Sequence, residues 1–236
     1  MSVIGVSCTQ GNKTFDECLD CTTECINKPL RKLLFKYNAP RGKGISASML
    51  TNQCPLCPIL TIKYDIYRPI QDLHASTYGS VIHQALSEEA LPSDVSEVRF
   101  VDKLGGIEYS GQIDSLDTLT NHLTDYKTKA YISANHKVSL EHHWQVNIYR
   151  YLAELNGHKV DSASILYLDP RGWLDVPIVR EEPRDVKIYL EPKLTALHDG
   201  IHNNIMPKAV IHWLCNKRTV YCPVADYCMK LERGVK

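Results

Sequence analysis

The chain has 236 residues, of which 44% are hydrophobic and 23% are charged. This composition is typical of a globular protein with a core of its own, and it excludes an intrinsically disordered chain. The 27 basic side chains equal the 27 acidic ones, which excludes a strongly basic, non-specific polyanion binder but not a local basic patch. Because there is neither an apolar run of ~18 residues nor a secretion signal, we expect a cytoplasmic protein with no membrane partner.

Nine cysteines lie near the two ends of the sequence, and none lies between residues 57 and 215. Disulfides are rare in a reducing cytosol, and an odd number of cysteines fits them poorly. A buried unpaired thiol is a sufficient explanation for Cys8. It explains the closely spaced cysteines badly, because such spacing in turns is typical of metal or cluster ligation. These residues are Cys18, Cys21 and Cys25, followed by Cys54 and Cys57.

A run of basic side chains follows the first cysteines. Residues 27–43 contain six lysines and arginines and no acidic residue, with leucines and a phenylalanine among them. We predict an amphipathic helix here. Its positive stripe is equally consistent with a solvated face and with a surface that binds a phosphate backbone. The basic residues are Lys28, Arg31, Lys32, Lys36, Arg41 and Lys43.

The middle of the chain shows the clearest periodicity. Apolar residues at helical spacing predict helices over 77–91, 140–156 and 185–203. Short apolar segments between turn residues predict strands over 97–101, 107–116, 123–128, 163–168 and 173–178. The order of these elements is typical of an α/β protein with a mixed central sheet.

Two of the predicted strands contain acidic and basic side chains. Asp114 lies toward the end of one strand, and Asp125 and Lys127 lie on the next, where residues two apart project from the same face. If the strands are neighbours, these side chains meet at one end of the sheet. Two carboxylates could then bind Mg²⁺ or Mn²⁺ for phosphodiester hydrolysis, with the ammonium orienting the water or stabilising developing charge. Taken alone, Asp-x-Lys is more typical of a surface salt bridge.

The flanking helices add polar residues in a fixed order. Gly79 and His83 precede the strands, and Gln145 and Tyr149 share one face of the helix that follows them. The order Gly-x3-His, Gly-x-Ile-Asp, Asp-Tyr-Lys-Thr and Gln-x3-Tyr resembles the RecB-like nucleases of the PD-(D/E)XK superfamily. It is most similar to the CRISPR-associated exonuclease branch that carries an iron–sulfur cluster. The resemblance covers about residues 45–230, and each motif alone is weak.

The resemblance implies a restriction-endonuclease-like fold. In such a fold a mixed central β-sheet is flanked by helices, and here the two ends of the chain would form a cysteine-rich, cluster-binding region. We accordingly expect three segments. They are a cysteine-containing basic segment over 1–44, a nuclease core over 45–206 and a C-terminal cysteine segment over 207–236.

The resemblance also implies a role for each motif residue. The implied metal ligands are His83, Asp114 and Asp125. The implied catalytic lysine is Lys127, and the residues that position DNA near the scissile phosphate are Gln145 and Tyr149. An auxiliary acidic residue and a candidate phosphate contact complete the set, namely Glu97 and Thr128.

A 4Fe-4S cluster is implied as well, with the ligands Cys54, Cys215, Cys222 and Cys228. Related proteins usually end in Cys-x2-Cys-x5-Cys. The last two cysteines match, but Cys215 lies seven residues before Cys222, and Thr219 stands at the expected position. Cys57 is the alternative N-terminal ligand, because it too is followed by proline. Cys54 is preferred because it follows a Ser-x-Ser-x-Leu segment.

The pattern of the related nucleases leaves Cys18, Cys21 and Cys25 unexplained. With Cys57 they could form a second four-thiolate site for zinc or another cluster. Equally, they could be unpaired thiols on a short helix.

The sequence thus predicts a Mg²⁺- or Mn²⁺-dependent enzyme that hydrolyses phosphodiester bonds in DNA. The resemblance implies an exonuclease, with endonuclease activity also compatible, that acts on single-stranded DNA or DNA ends. Recombination, repair and CRISPR-type processing are all compatible, either alone or within a larger assembly. The alternative is a non-catalytic nucleic-acid-binding module stabilised by zinc. Such a module has no use for Asp114, Asp125 and Lys127 beside Gln145 and Tyr149, which favours the enzyme.

Overall fold

The computed structural model describes residues 3–23, 25–38, 44–133, 135–208, 222, 224, 225 and 228. The chain divides into two compact units. We call one the cysteine-rich unit (residues 1–43, 54–81 and 196–236) and the other the sheet unit (residues 44–53 and 82–195). Each unit draws on separate stretches of sequence, whereas the three predicted segments are continuous. The division at residues 44 and 206 therefore stays a prediction.

The elements are numbered in chain order. The strands are β1 (Val3–Cys8), β2 (Gly11–Thr14), β3 (Ile66–Pro69), β4 (Asp94–Ser96), β5 (Arg99–Leu104), β6 (Ile107–Gln112), β7 (Ser115–Asp117), β8 (His122–Thr128), β9 (Ser162–Asp169) and β10 (Gly172–Pro177). The α-helices are α1 (Phe15–Leu19), α2 (Lys28–Asn38), α3 (Ala47–Leu50), α4 (Leu56–Lys63), α5 (Leu73–Glu88), α6 (Leu140–Leu155) and α7 (Pro183–His198). A 3₁₀ turn (Ile70–Asp72) precedes α5, and a π-helical turn (Asp199–Asn203) follows α7.

The sheet unit is built around a mixed five-stranded sheet with the order β10-β9-β8-β7-β4. β8 and β9 run parallel and are connected through α6, as a parallel pair requires, and the other neighbours are antiparallel. β5 and β6 form a separate hairpin, and its turn residues Gly105 and Gly106 have the positive φ angles that a tight turn needs. The predicted α/β fold, with a mixed central sheet flanked by helices, is confirmed.

The helix α6 connects the sheet to the hairpin. It begins after Ser139, whose side chain accepts a hydrogen bond from His142 N, and Gly157 follows its end with a φ of 87°. Its buried face includes Val146 and Leu152, and the helix contacts β5, β6 and β9. The helix predicted over 140–156 is therefore confirmed within one residue.

Several predicted boundaries differ from the structure. The strand predicted over 107–116 is two strands, because β6 pairs with β5 in the hairpin whereas β7 pairs with β4 and β8 in the main sheet. Glu97, predicted to begin a strand, has a left-handed backbone conformation with a φ of 54°. The helix predicted over 185–203 ends as an α-helix at His198. The break between β6 and β7 leaves Asp114 at the junction of the hairpin and the main sheet.

The cysteine-rich unit contains a three-stranded sheet in the order β2-β1-β3, which was not predicted. β1 is antiparallel to β2 and parallel to β3. β1 and β2 lie within the segment over 1–44, for which only a cysteine-containing, basic character was predicted. Apolar residues of β1 nevertheless share a buried core with α2 and two cysteines, formed by Val3, Val6, Leu34, Phe35, Cys18 and Cys54.

The predicted amphipathic helix is present as α2. Its three lysines are exposed, while Arg31 is fully buried. Placing Arg31 on the positive stripe was therefore wrong, because its side chain points into the unit rather than toward solvent. Arg41 and Lys43 lie outside the described residues. None of the described helices is long and apolar enough to cross a bilayer.

Candidate active site

Five ionisable side chains of the sheet unit come together where the hairpin meets the main sheet. His83 lies on α5, Glu97 precedes β5, Asp114 lies between β6 and β7, and Asp125 and Lys127 lie on β8. The antiparallel pairing of β7 with β8 brings Asp114 to the end of β8 that carries the other two. Polar residues from separate segments of the sequence thus lie close together where the hairpin meets the main sheet.

Three of these side chains form a group that could hold a metal ion. One ligand atom from each of His83, Glu97 and Asp114 lies within 4.8 Å of the other two. His83 Nδ1 is 3.3 Å from Asp114 Oδ1 and 3.7 Å from Glu97 Oε1. Glu97 Oε1 is buried and has no hydrogen-bond partner among the described residues, and His83 lies only within ion-pair distance of it, so this oxygen can still accept a bond from a metal ion. One imidazole and two carboxylates form a donor set that fits Mn²⁺, and the carboxylates also fit Mg²⁺.

Hydrogen bonds hold the two carboxylates in place. Asp114 Oδ2 accepts a hydrogen bond from Tyr126 N at 2.7 Å. Glu97 N donates to Asp114 O at 3.1 Å, and Gln112 Nε2 donates to Glu97 Oε2. The left-handed backbone of Glu97 costs about 1–3 kcal/mol in a residue other than glycine. Such a conformation persists only where surrounding contacts enforce it, as these do.

The electrostatics of His83 are those of a cation among carboxylates. Burial lowers the pKa of His83, but Asp114 and Glu97 outweigh burial and raise the pKa to about 10. Without a metal ion the imidazole is therefore protonated at neutral pH and supplies the positive charge that the carboxylates need. Since only the neutral imidazole is a ligand, metal binding must release this proton.

Asp125 and Lys127 form a buried ion pair beside this group. Asp125 is 1% exposed, and Lys127 Nζ lies 2.9 Å from Oδ1 and 2.7 Å from Oδ2. Burial raises the pKa of Asp125 to about 6, although the ammonium opposes the rise. Of the three predicted ligands, His83 and Asp114 lie in this candidate metal-binding group, together with Glu97. Metal ligation by His83, Asp114 and Asp125 stays a prediction.

The two predicted DNA-positioning residues contact each other on α6. Gln145 Nε2 donates a hydrogen bond to Tyr149 Oη at 2.6 Å. Burial raises the pKa of Tyr149, and the charge of Asp125 raises it further. A Cβ at Gly111 would lie 2.8 Å from a ring carbon of Tyr149 and from Leu152 Cδ1. The glycine of Gly-x-Ile-Asp therefore allows α6 to approach β6.

No sequence pattern had indicated a further set of side chains beside Lys127. His142 Nδ1 lies 2.9 Å from Tyr167 Oη, and Lys129 Nζ lies 5.3 Å from the centre of the Tyr167 ring. Burial lowers the pKa of His142 to about 4, and the two lysines act in the same direction. The alternation of Lys127 and Lys129 about Thr128 was the available signal, because it continues one face of β8. The phosphate contact expected of Thr128 stays a prediction.

Three of the four predicted cluster ligands, Cys54, Cys222 and Cys228, lie in the described part of the cysteine-rich unit. The neighbouring thiol of Cys222 and burial both raise the pKa of the Cys57 thiol. The contact with Cys57 lowers the pKa of Cys222. Cys228 packs against the same core. Cys215, the remaining predicted ligand, lies outside the described residues.

Comparisons relate the chain to known proteins. A family model described as the PD-(D/E)XK nuclease superfamily matches residues 88–229. The crystal structure of SSO0001 has a TM-score of 0.62 and 16% sequence identity, over 87% of this chain and 98% of that one. A candidate exonuclease from Eubacterium rectale has a TM-score of 0.46 and 12% identity, over 67% of this chain and 82% of that one. No curated protein matches the chain.

Proposed function

Because the chain belongs to the PD-(D/E)XK nuclease superfamily, we propose that it is a Mg²⁺- or Mn²⁺-dependent enzyme that hydrolyses phosphodiester bonds in DNA. The observation that carries the proposal is the group of His83, Glu97 and Asp114 close to the Asp125–Lys127 pair. A site that calls for a cation and also supplies an ammonium suits a phosphodiester. Hydrolysis builds negative charge on the phosphoryl oxygens, and both positive groups stabilise that charge.

The side chains have separate tasks in the proposed reaction. Glu97 and Asp114 would hold the metal ion through oxygen, and His83 would hold it through a neutral nitrogen. A bound divalent ion supplies Lewis acidity, which polarises the phosphate and makes water a better nucleophile. Lys127 donates hydrogen bonds to that water or to a phosphoryl oxygen. Asp125 holds the ammonium in position until DNA arrives.

DNA binding would change the partners of the ion pair. When the ammonium of Lys127 turns toward the phosphate, a carboxylate oxygen of Asp125 is released and can serve as the further metal ligand predicted from the resemblance. Gln145 and Tyr149 would then border the scissile phosphate, with the amide and hydroxyl groups as hydrogen-bond donors. These roles are consistent with the effect of the Asp125 charge on the pKa of Tyr149.

The finer features of the proposed function are those implied by the resemblance to the RecB-like nucleases. They are an exonuclease mode, a preference for single-stranded DNA or DNA ends, and a place in recombination, repair or CRISPR-type processing, alone or within a larger assembly. The exposed lysines of α2, namely Lys28, Lys32 and Lys36, support contact with a phosphate backbone. Contacts of this kind bind DNA without reading its sequence.

An iron–sulfur cluster in the cysteine-rich unit forms part of the same proposal. Thiolates are the donors that such clusters require, and the Cys57–Cys222 contact with Cys54 nearby supports a site here. Cys228 packs against the same core. Cys57 therefore becomes as strong a candidate as Cys215 for the fourth position. The cluster would hold together chain segments that are far apart in sequence, and its binding energy would add to folding energy.

A panel of DNA substrates tests the proposed function. Linear end-labelled and closed circular DNA, each single- and double-stranded, would be incubated with Mg²⁺, Mn²⁺ or EDTA. We expect linear single strands to be degraded to short labelled products only when a metal is present, while circles survive. Cleavage in EDTA would contradict metal dependence, and equal cleavage of circles would identify an endonuclease. Binding without cleavage would favour the zinc-stabilised binding module.

A pair of matched variants then assigns the cleavage to this site. Glu97→Gln removes a charge from the metal-binding group, whereas Glu108→Gln makes the same change on the exposed face of β6, where the side chain is 64% exposed. We expect the first variant to lose activity and the second to keep it. Equal activity of the two variants would place the chemistry elsewhere.

A further inference from the structure

A second group of side chains lies beside Lys127 and has no task in the proposed reaction. Lys127 on β8 is the register partner of Tyr167 on β9, so the two side chains project from the same face of strands that lie about 4.8 Å apart. Tyr167 is fully buried, and its hydroxyl oxygen lies 2.9 Å from His142 Nδ1. His142 stands three residues before Gln145 on α6, and therefore on the face that carries the proposed DNA-positioning residues.

Lys129 extends this group beyond the end of β8. Its backbone N–H donates a hydrogen bond to Leu168 O at 2.8 Å, so the chain still runs beside β9 at this point. Lys129 Nζ lies 5.3 Å from the centre of the Tyr167 ring. The ring of His136 packs edge-on against the same tyrosine, with 4.3 Å between the ring centres. Side chains from the strand, the following loop and α6 therefore meet around Tyr167.

Lys129 differs from Lys127 in its charge balance. Lys127 forms an ion pair with Asp125, with 2.7 Å between Nζ and Oδ2. In the described part of the chain, no carboxylate lies within ion-pair distance of the half-buried ammonium of Lys129. Two extended residues span about 6.6 Å, so the two lysines stand side by side. A cation without an acidic partner next to the scissile phosphate suits the next phosphate of the same strand.

An aromatic ring and a guanidinium stack two residues beyond Lys129. Tyr131 is 59% exposed, and the guanidinium carbon of Arg171 lies 4.1 Å from the centre of its ring. Asp169 ties both partners together, because its Oδ2 accepts hydrogen bonds from Ile132 N at 2.8 Å and from Arg171 Nη2 at 2.9 Å. Its Oδ1 accepts another from Arg171 N at 2.7 Å. The stack is therefore held in place by the chain itself, with one face of the tyrosine covered by Arg171.

We propose that Lys129, Tyr131 and Arg171 bind the nucleotide next to the scissile phosphate, and we call these residues the flanking subsite. Lys129 binds the phosphate of that nucleotide, and its base stacks on the tyrosine face opposite Arg171. Four residues separate Lys127 from Tyr131, so their Cα atoms are at most about 14 Å apart. A base in a duplex is already stacked and paired, so the flanking subsite selects unpaired DNA. The proposal rests on the proposed nuclease function and gives its single-strand preference a physical cause.

Binding of single strands with and without bases tests the flanking subsite separately from cleavage. Fluorescence anisotropy in EDTA would compare an oligothymidylate with a base-free phosphodiester of equal length. We expect Tyr131→Ala to weaken binding of the oligothymidylate at least about fivefold, the low end for one base stack, and to leave the base-free strand unaffected. Tyr131→Phe keeps the ring and should bind as the wild type does. Lys129→Gln should weaken both strands equally and lower the slope of log affinity against log salt by about 0.7.

Matched control variants change exposed side chains elsewhere in the sheet unit. Leu119→Ala truncates a side chain that is 79% exposed in the turn before β8, and Lys103→Gln removes a charge from β5 where the side chain is 67% exposed. Both should bind the two strands as the wild type does. If Tyr131→Ala loses both strands equally or neither of them, base stacking on Tyr131 is wrong. An unchanged salt slope in Lys129→Gln excludes the phosphate contact.

The same measurements separate failure of the flanking subsite from failure of the proposed function. A wild type that binds and cuts single strands, while Tyr131→Ala binds them equally well, refutes the flanking subsite alone. A wild type that binds no DNA refutes the flanking subsite and the nuclease function together. Blunt duplex DNA offers no unpaired base, so Tyr131→Ala should bind it as the wild type does, and a fivefold loss there would contradict selection of unpaired DNA.

Discussion

Replacing Asp125 by asparagine should remove a pH dependence that this buried carboxyl imposes on folding. Burial raises its pKa from 3.8 to about 6, even though Lys127 opposes the rise. Because the folded pKa lies above the unfolded one, the folded protein binds the proton more tightly. The resulting stabilisation is fully present below about pH 4 and is lost as the pH rises through about 6.

The size of the pH-dependent change in stability follows from the pKa shift of Asp125. About 2 units at 1.36 kcal/mol each correspond to about 3 kcal/mol in the free energy of unfolding. Asparagine does not titrate, and it keeps an oxygen for the hydrogen bond from Lys127. The free energy of unfolding of the wild type minus that of Asp125→Asn should therefore fall by about 3 kcal/mol between pH 4 and pH 8. In a chain of this size this corresponds to roughly 6–12 °C in Tm.

Urea denaturation followed by circular dichroism, at one-unit pH steps in EDTA, measures this difference. Asp175→Asn is the matched control, because Asp175 is exposed on β10. Its difference from the wild type should stay constant over the same range. If the Asp125 difference is flat or rises with pH, the ammonium outweighs burial, and the carboxylate is stabilised rather than strained by its surroundings.

Three further predictions concern the site, the basic helix and the approach of α6. Glu97→Gln should weaken Mn²⁺ binding measured by isothermal titration calorimetry, whereas Glu108→Gln should not, since only the first removes a ligand charge. Lys32→Gln should lower the slope of log affinity for single-stranded DNA against log salt by about 0.7, the loss of one phosphate contact, and an unchanged slope would make α2 a solvated face. Gly111→Ala should cost about 1–3 kcal/mol by urea denaturation because its Cβ meets α6 side chains at 2.8 Å. Gly172→Ala, with open space around it, should not show this loss.

The parts of the site that could be predicted are those encoded by local spacing. Asp125 and Lys127 stand two apart on a strand with clear periodicity, so their shared face followed from the sequence. Gln145 and Tyr149 stand four apart on a long amphipathic helix, and their side chains do contact each other. These patterns persist because β8 and α6 are long, regular elements whose partners do not change along their length.

The parts that could not be predicted depend on contacts between distant residues. Glu97 joins the candidate metal-binding group through a left-handed backbone and a hydrogen bond from Gln112, and neither has a local signature. The break after Gln112 exists because the chain exchanges one partner strand for another. In the sequence, Arg31 looks like any other basic residue of the helix. Its side chain is buried because it donates hydrogen bonds to the carbonyl oxygens of Cys18 and Cys21. Tertiary contacts decided each case against local propensity.

The most direct test of the proposed active site is single-turnover cleavage of end-labelled DNA by Asp114→Asn in saturating Mn²⁺, with Asp175→Asn beside it. Contacts that merely support a ligand are worth 10–100-fold, so loss of the ligand itself should reduce the rate by more than about 100-fold. Asp175→Asn should cleave at the rate of the wild type. Cleavage at the wild-type rate by the Asp114→Asn protein would contradict the assignment of His83, Glu97 and Asp114 as the metal site.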